Sequence, residues 1–236
     1  MKKKYAGVYM SSFEGFSTET LKFFEELAQN NTKVWFEAHR SVYDQYVLEP
    51  ARGFVSAMGE KLHNFPIRIN AIPKVNQSLF RINRDTRFSH DKRPYKTNLG
   101  IWFWEGTRKR MECSGFYFHL GDGKLMLGTG IHLFPKELLK LFRDAVTDKK
   151  LALSLGAAVN KISEKGYIIG GKHYKRLPRG YDATHGQAEF LLFNGLTARI
   201  EEDTPEELYS PSIVEYAFAH YKNMYPLHEW LTKAIG

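Results

Sequence analysis

The sequence predicts an α+β fold in which a mainly antiparallel central sheet is flanked by N-terminal and C-terminal helices. Apolar residues recur with a helical period near both ends of the chain, whereas they alternate with a period of two within residues 78–132. Short turns separate the alternating segments, which is typical of antiparallel pairing. We therefore expect residues 1–236 to form one domain, with helices in 13–64, the sheet core in 78–132, and helices with a basic loop in 135–236.

The helical predictions depend on apolar stripes and on residues that begin or end helices. Ser17 is a typical N-cap, and the first helix is expected to end near Asn30 and Asn31. A second helical region starts near Lys33, and Pro50 is expected to kink or split it. Helical spacing returns later in four segments, namely Pro135–Val146, Leu151–Ile162, Ile213–Tyr221 and a closing segment from Leu227.

Strands are predicted where apolar and polar residues alternate. The segments are Phe80–Arg84, Leu99–Trp104, Phe116–Leu120 and Lys124–Ile131, with a further strand expected at Leu196–Glu201. The turn Gly121-Asp122-Gly123 predicts a hairpin, and the proline-containing stretch Ile67–Val75 predicts a connection or an edge strand. Gly128 and Gly130 share one strand face, so a packed helix or a ligand could approach it closely.

Composition narrows the function classes. A net charge of +8 favours acidic partners, and 43% hydrophobic residues exclude global disorder. One cysteine, Cys113, excludes an intrachain disulfide, and no stretch has the apolar length of a signal-peptide core or a membrane span. We therefore expect a cytoplasmic protein without membrane association. Its cofactors and its oligomeric state are left open by the sequence.

The most informative stretch is FRINRDTRFSHDKRPYKT, which begins at Phe80 and contains six cations against two carboxylates. One interpretation is an anion site, because guanidinium and ammonium groups bind phosphate or carboxylate. The predicted anion-binding residues of this stretch are Arg81, Arg84, Arg87, Lys92 and Lys96. The alternative is a salt-bridged network in which Asp85 and Asp91 orient the arginines and hold the turn. The surplus of cations favours the anion site.

A second basic stretch, residues 170–182, adds Lys175, Arg176 and Arg179 to the predicted anion-binding set. If it folds over the first stretch, the two form one cationic cleft with aromatic walls, which would suit a nucleotide or a single strand of nucleic acid. If it lies elsewhere, it is a solvated loop. The sequence does not decide between these arrangements.

Candidates for catalysis are His119, His185 and Asp85. A strand histidine such as His119 is more often a hydrogen-bonded structural residue than a general base, and Asp85 between arginines is more often their orienting partner. No histidine pair or histidine–carboxylate cluster has the spacing of a metal site, so no metal ligand is predicted. Whether the protein is an enzyme stays open.

Several motifs together resemble the bacterial and fungal family called domain of unknown function 2461. The motifs are Asn30-Asn31, Trp35-Phe36, FRxxRDTRFS from Phe80, DKxPYKT from Asp91, GFY from Gly115 and KRxPRGY from Lys175. The resemblance spans nearly the whole chain and implies an α+β domain, and it implies no activity because the family is uncharacterised. Asn98 stands where many members have histidine, which makes direct chemistry at this position less expected.

The favoured hypothesis is a cationic cleft that binds an anionic small molecule, with an enzyme acting on a phosphorylated or nucleotide-like ligand as one form of it. The alternatives are a nucleic-acid-binding module without catalysis and a protein-interaction scaffold. A deep pocket would favour the first, a long open groove the second, and full internal pairing of the arginines the third.

Overall fold

The computed structural model describes residues 13–181 and 187–236, which adopt the predicted α+β fold. Helices cover one face of an antiparallel six-stranded sheet, and the main apolar core lies between them. The helices at both ends of the chain are amphipathic, so each buries its apolar stripe against the sheet or against another helix. That all 236 residues form one domain stays a prediction.

The helices of the described residues follow the predicted order. Their bounds are Thr18–Gln29 (α1), Lys33–Ala38 (α2), Arg40–Tyr43 (α3), Glu49–Leu62 (α4), Lys136–Thr147 (α5), Lys149–Ser163 (α6) and Ser212–Ile235 (α7). A π-helical segment, Asp44–Leu48, precedes α4, so the region around Pro50 is split as expected. α7 continues through Pro226 and unites the two predicted C-terminal helical segments.

The sheet has the strand order β1-β2-β3-β4-β6-β5, and every neighbouring pair is antiparallel. The strands are Ile69–Asn70 (β1), Asn98–Glu105 (β2), Gly115–Gly121 (β3), Lys124–Ile131 (β4), Ile168–Lys172 (β5) and Phe193–Asp203 (β6). The β3–β4 hairpin turns at Asp122 and Gly123, both with positive φ, as the glycine-rich turn predicts. The edge position of β1 agrees with its flanking prolines.

The predicted strand at Phe80–Arg84 is wrong. Phe80 donates its N–H to the Gly100 carbonyl of β2 at 3.0 Å, but the chain then turns away, and Asn83 pairs with Tyr95 as an isolated bridge. Ile82 is buried while its two neighbours are exposed, so the alternation of burial is real. Alternation indicates which side faces the core, whereas it does not identify the hydrogen-bonding partner.

β5 was not expected, because its residues belong to a stretch that reads as a loop. Its pairing with β6 shifts register between Gly170 and Lys172, and its side chains are at most half-buried. Gly171 has φ +117°, and a Cβ there would lie 2.1 Å from the Gly195 carbonyl oxygen. An irregular edge strand of this kind lacks the periodic signal that identifies strands in a sequence.

No helix among the described residues is long and apolar enough to cross a membrane.

Candidate functional site

The sheet face opposite the helices, called the open face here, carries three rows of residues that lie directly across from one another. The middle row runs Trp102, Tyr117, Gly128 and Arg199 through β2, β3, β4 and β6. The rows on either side are Gly100, His119, Met126, Glu201 and Trp104, Gly115, Gly130, Thr197. Glycines thus occupy the centre of the face, and large side chains stand around them.

This arrangement leaves a cavity of about 340 Å³ above the glycines. Its lining residues are Phe80, Trp102, Met111, Tyr117, His119, Met126, Gly128, Thr129, Gly130, His132, Thr197 and Arg199. The volume lies at the lower end of small-molecule pockets, and mainly apolar walls with a few polar groups are typical of such sites. Gly128 and Gly130 predict that either a packed helix or a ligand approaches this face closely. Among the described residues no helix packs there, which leaves the ligand as the remaining alternative.

His119 projects from β3 into this cavity. Its Nδ1 lies 3.4 Å from the Asn98 Nδ2 and 3.4 Å from the Tyr117 hydroxyl oxygen. Burial lowers the pKa of His119, opposed by the charges of Glu201 and Asp122, and burial raises the pKa of Tyr117 to about 12. If Nδ1 accepts from either donor, Nε2 carries the proton, so a neutral imidazole N–H is available to a ligand.

Arg199 is exposed on β6 at the far side of the glycines. Its guanidinium has no hydrogen-bond, ion-pair or ring partner in the part of the chain that the structure describes. Thr197 and His132 lie on the same side of the cavity and contribute a hydroxyl and an imidazole. A guanidinium group without a partner can form bidentate hydrogen bonds to phosphate or carboxylate.

Two cations lie over Phe80, a lining residue of the cavity, and Arg81 is close enough for its charge to act on one of them, Lys96. The Lys96 ammonium lies 5.3 Å and the Arg110 guanidinium 4.6 Å from the centre of the Phe80 ring. Burial, followed by the charges of Arg81 and Arg110, lowers the pKa of Lys96. Lys96 donates to the Arg81 carbonyl at 3.0 Å, and Arg110 to the Gln77 carbonyl. Among the described residues no carboxylate forms an ion pair with any of the three cations, although the charge of Arg81 contributes to lowering the pKa of Asp85.

The remaining arginines of the motif are paired internally. Arg87 donates to both carboxylate oxygens of Asp85 at 3.0 and 2.7 Å, which lowers the pKa of Asp85 to about 2. Arg84 lies 2.7 Å from Asp91, which Arg93 also contacts. Asp85 therefore has the geometry of an arginine partner, which is the role that the sequence favoured over acid–base chemistry.

The two basic stretches lie at diagonally opposite corners of the sheet. The first adjoins the start of β2, whereas the second follows the end of β5, with three strands between them and at the other end of the paired strands. The second stretch turns toward the helix layer, because Tyr181 donates to Asp144 of α5 at 2.8 Å. Lys175, Arg176 and Arg179 are exposed there. The structure thus does not bring the eight predicted anion-binding residues together.

Some sequence candidates have no bearing on the cavity, and some residues in the cavity or beside its Phe80 wall are not predicted from the sequence. Lys92 donates to the Thr86 carbonyl at 2.9 Å, and His185 lies outside the described residues. Arg110 and Arg199 were not singled out. The sequence signal that could indicate Arg199 is the alternation along β6, which places Arg199 on the face opposite Leu196 and Ala198.

A buried polar chain on the helix face is a separate feature. Ser114 Oγ lies 2.9 Å from His228 Nδ1, and His228 Nε2 lies 2.9 Å from Glu105 Oε2. The order of groups matches a nucleophile, a base and an orienting acid. However, Ser114 is buried and Glu105 is the most exposed member, which is the reverse of what a nucleophile requires. The chain of hydrogen bonds instead ties α7 to the sheet.

No group of three or more histidine, cysteine, aspartate or glutamate residues in the described ranges is arranged to hold a metal ion.

Comparison with known proteins gives a family but no activity. The family model described as Conserved hypothetical protein (DUF2461) matches residues 19–230. That range includes both basic stretches, the sheet and nearly all of the helices. A comparison with curated proteins found no match. The chain belongs to the DUF2461 family of conserved hypothetical proteins.

Proposed function

We propose that the cavity on the open face binds an anionic small molecule of nucleotide size. The observation that carries the proposal is the position of Lys96 and Arg110 over the ring of Phe80, a lining residue of the cavity, where neither cation forms an ion pair with a carboxylate among the described residues. Placing cations together without a counter-charge is unfavourable, and a bound anion relieves the repulsion. Burial, followed by repulsion from Arg81 and Arg110, lowers the pKa of Lys96, and a bound anion would oppose both effects.

The walls and the floor favour a ligand that is partly flat and apolar. Trp102, Tyr117 and the two methionines offer aromatic and polarisable surface, and the glycines allow a planar group to approach the backbone. Arg199 on the far wall supplies a second position for a negatively charged or hydrogen-bonding group. A phosphorylated metabolite with a ring, or a mononucleotide, combines these properties.

Acid–base chemistry in this cavity is a further part of the proposal. His119 has an imidazole at the cavity wall, and the neighbouring Tyr117 hydroxyl is within 3.4 Å of it. The pair could exchange a proton with a bound ligand. The enzyme form of the proposal therefore assigns His119 as the acid–base residue, and the binding form leaves it as a hydrogen-bond donor.

The test is isothermal titration calorimetry with adenosine 5′-monophosphate and, separately, inorganic phosphate. We expect the nucleotide to bind the wild-type protein and Arg199→Met to weaken its binding at least about tenfold, the effect of losing one charged hydrogen bond. Lys96→Met is expected to act in the same direction. Arg176→Met, an exposed arginine of the second basic stretch, is the matched control and should leave binding unchanged. Absence of binding, or equal affinities of wild type and Arg199→Met, would refute the proposal.

A further inference from the structure

A narrow loop formed by residues 83–95 carries Phe88 near its tip. The Phe88 side chain is 95% exposed and belongs to neither packed apolar cluster of the described residues. The Arg87 guanidinium lies 5.8 Å from the centre of its ring. A single exposed apolar side chain is common on protein surfaces, so exposure alone assigns no role to Phe88.

The base of this loop is firmly closed. Arg84 N–H donates to the Pro94 carbonyl and Lys96 N–H to the Ile82 carbonyl, both at 2.8 Å, on either side of the bridge between Asn83 and Tyr95. These bonds give the two arms of the loop a fixed relation to each other. The tip consequently projects in a defined direction.

The loop is also fastened to the helices and braced inside. Asn31 exchanges two hydrogen bonds with the Tyr95 backbone, and Phe36 stacks on the Tyr95 ring with 4.2 Å between ring centres. Within the loop, Arg84 joins the two arms through its ion pair with Asp91. The molecule thus orders a loop whose tip packs against nothing among the described residues. Preorganisation of this kind lowers the entropic cost of binding a partner.

Charge indicates the chemistry of that partner. Within residues 84–93 the four cations Arg84, Arg87, Lys92 and Arg93 outweigh the two carboxylates Asp85 and Asp91, which gives a net charge of +2. The partner is therefore expected to be anionic. Between Val34 and Met111, Phe88 is the only exposed large hydrophobic side chain in the described sequence.

We propose that the Phe88 tip contacts single-stranded nucleic acid, with one base stacked on the ring and the net positive charge of the loop facing the neighbouring phosphates. Proteins bind single strands with aromatic rings on which the bases stack and with nearby cationic groups, and this loop carries both. A duplex is a poorer partner because its bases are already stacked on each other. A bilayer is also less favoured, because a single apolar side chain is a small anchor.

The test is fluorescence anisotropy with a short fluorescein-labelled oligodeoxythymidine, measured from low to physiological salt. We expect binding, and we expect Phe88→Ala to weaken it by about 5- to 150-fold, the loss of one base stack. Phe88→Trp should retain it. Lys92→Ala should reduce the log–log salt slope by about 0.7, the contribution of one phosphate contact on a single strand.

Two controls separate this site from the cavity and from general apolar effects. Val34→Ala, which truncates another highly exposed side chain (83%), should bind the oligonucleotide like wild type. Phe88→Ala should leave adenosine 5′-monophosphate binding unchanged, and Arg199→Met should leave oligonucleotide binding unchanged. The proposal is overturned if the oligonucleotide does not bind at low salt or binds Phe88→Ala equally well. Phe88-dependent sedimentation with phosphatidylserine vesicles, without oligonucleotide binding, would also overturn it in favour of a membrane contact.

Discussion

The side-chain amide of Asn31 holds the backbone of Tyr95, 64 residues later in the chain, through two hydrogen bonds of 3.0 Å. Its Nδ2 donates to the Tyr95 carbonyl, and its Oδ1 accepts from the Tyr95 N–H. Two motifs that are far apart in the sequence, Asn30-Asn31 and the Pro94-Tyr95-Lys96 turn, therefore form one structural unit. This contact fixes the base of the loop formed by residues 83–95 against the junction of α1 and α2.

Asn31→Ala should lower the free energy of unfolding by about 1 to 3 kcal/mol, because it leaves the donor and the acceptor of a buried residue without partners. Tyr95 is 5% exposed, so water reaches these groups poorly. Urea denaturation followed by circular dichroism gives the value. The neighbouring Asn30→Ala, which removes an exposed hydrogen bond to Glu26, should stay within about 0.5 kcal/mol of wild type. Equal losses for the two variants would contradict the role of Asn31.

The floor of the cavity contains two glycines that should respond differently to alanine. Gly130 has φ +114°, and a Cβ there would lie 2.1 Å from the Leu196 carbonyl oxygen, so Gly130→Ala should cost at least about 1 to 3 kcal/mol. A Cβ at Gly128 would lie 3.1 Å from the Ala198 carbonyl oxygen without a positive φ. Gly128→Ala should therefore cost less than Gly130→Ala in the same urea experiment. The reverse order would show that the backbone at Gly130 relaxes easily.

Much of the fold could be predicted because local patterns determine it. Alternation and the Gly121-Asp122-Gly123 turn predict β3, β4 and their hairpin, and the sheet confirms them. The segment from Phe80 to Arg84 has the same alternation, yet only Phe80 bonds to β2, and the backbone hydrogen bonds of Ile82 and Arg84 go to the returning arm of their own loop. Partner choice depends on which segment arrives beside a strand, and periodicity carries no information about that.

The candidate site was less predictable than the fold. His119 is predicted from its strand position, whereas Arg199 reaches the cavity only through the register of β6, and Arg110 reaches Phe80 only through the fold of the segment before β3. Charge density directed attention to Arg84 and Arg87, which have carboxylate partners within a few residues. The sequence shows how many charged residues a segment contains, but only the structure shows which of them lack a counter-charge.

Arg84 and Arg87 should consequently differ in their effect on stability. The Arg84 side chain is 26% exposed, pairs with Asp91 and donates to the Arg93 carbonyl at 3.2 Å, so Arg84→Ala should cost about 1 kcal/mol. The Arg87 side chain is 76% exposed, and its ion pair among the described residues is with Asp85, so Arg87→Ala should leave the free energy of unfolding close to that of wild type. Amide hydrogen exchange at Tyr95 should accelerate only in Arg84→Ala. Equal stability of the two variants would argue that the ion pair with Asp91 does not brace the loop.

His119 should titrate below its ordinary pKa of about 6.5, because burial disfavours the imidazolium. A proton–carbon correlation NMR titration, assigned with His119→Gln, measures the value directly. Adenosine 5′-monophosphate should raise this pKa, since a negative charge near the ring favours the protonated form. A ligand-free pKa at or above 6.5 would contradict the burial argument, and an unchanged pKa with bound nucleotide would place the anion away from His119.

The same shift makes a prediction about stability with a definite sign. The unfolded chain binds a proton at position 119 near pH 6.5, whereas the folded protein does so only at lower pH, so folding loses stability as the pH falls below 6.5. His119→Gln removes this contribution. Burial also lowers the pKa of His220, which is present in both proteins and cancels in the comparison. In paired urea titrations, the free energy of unfolding of wild type minus that of His119→Gln should therefore decrease as the pH is lowered from about 7.5 to about 5. A constant difference across this range would mean that the two states of the chain bind the proton at His119 equally well.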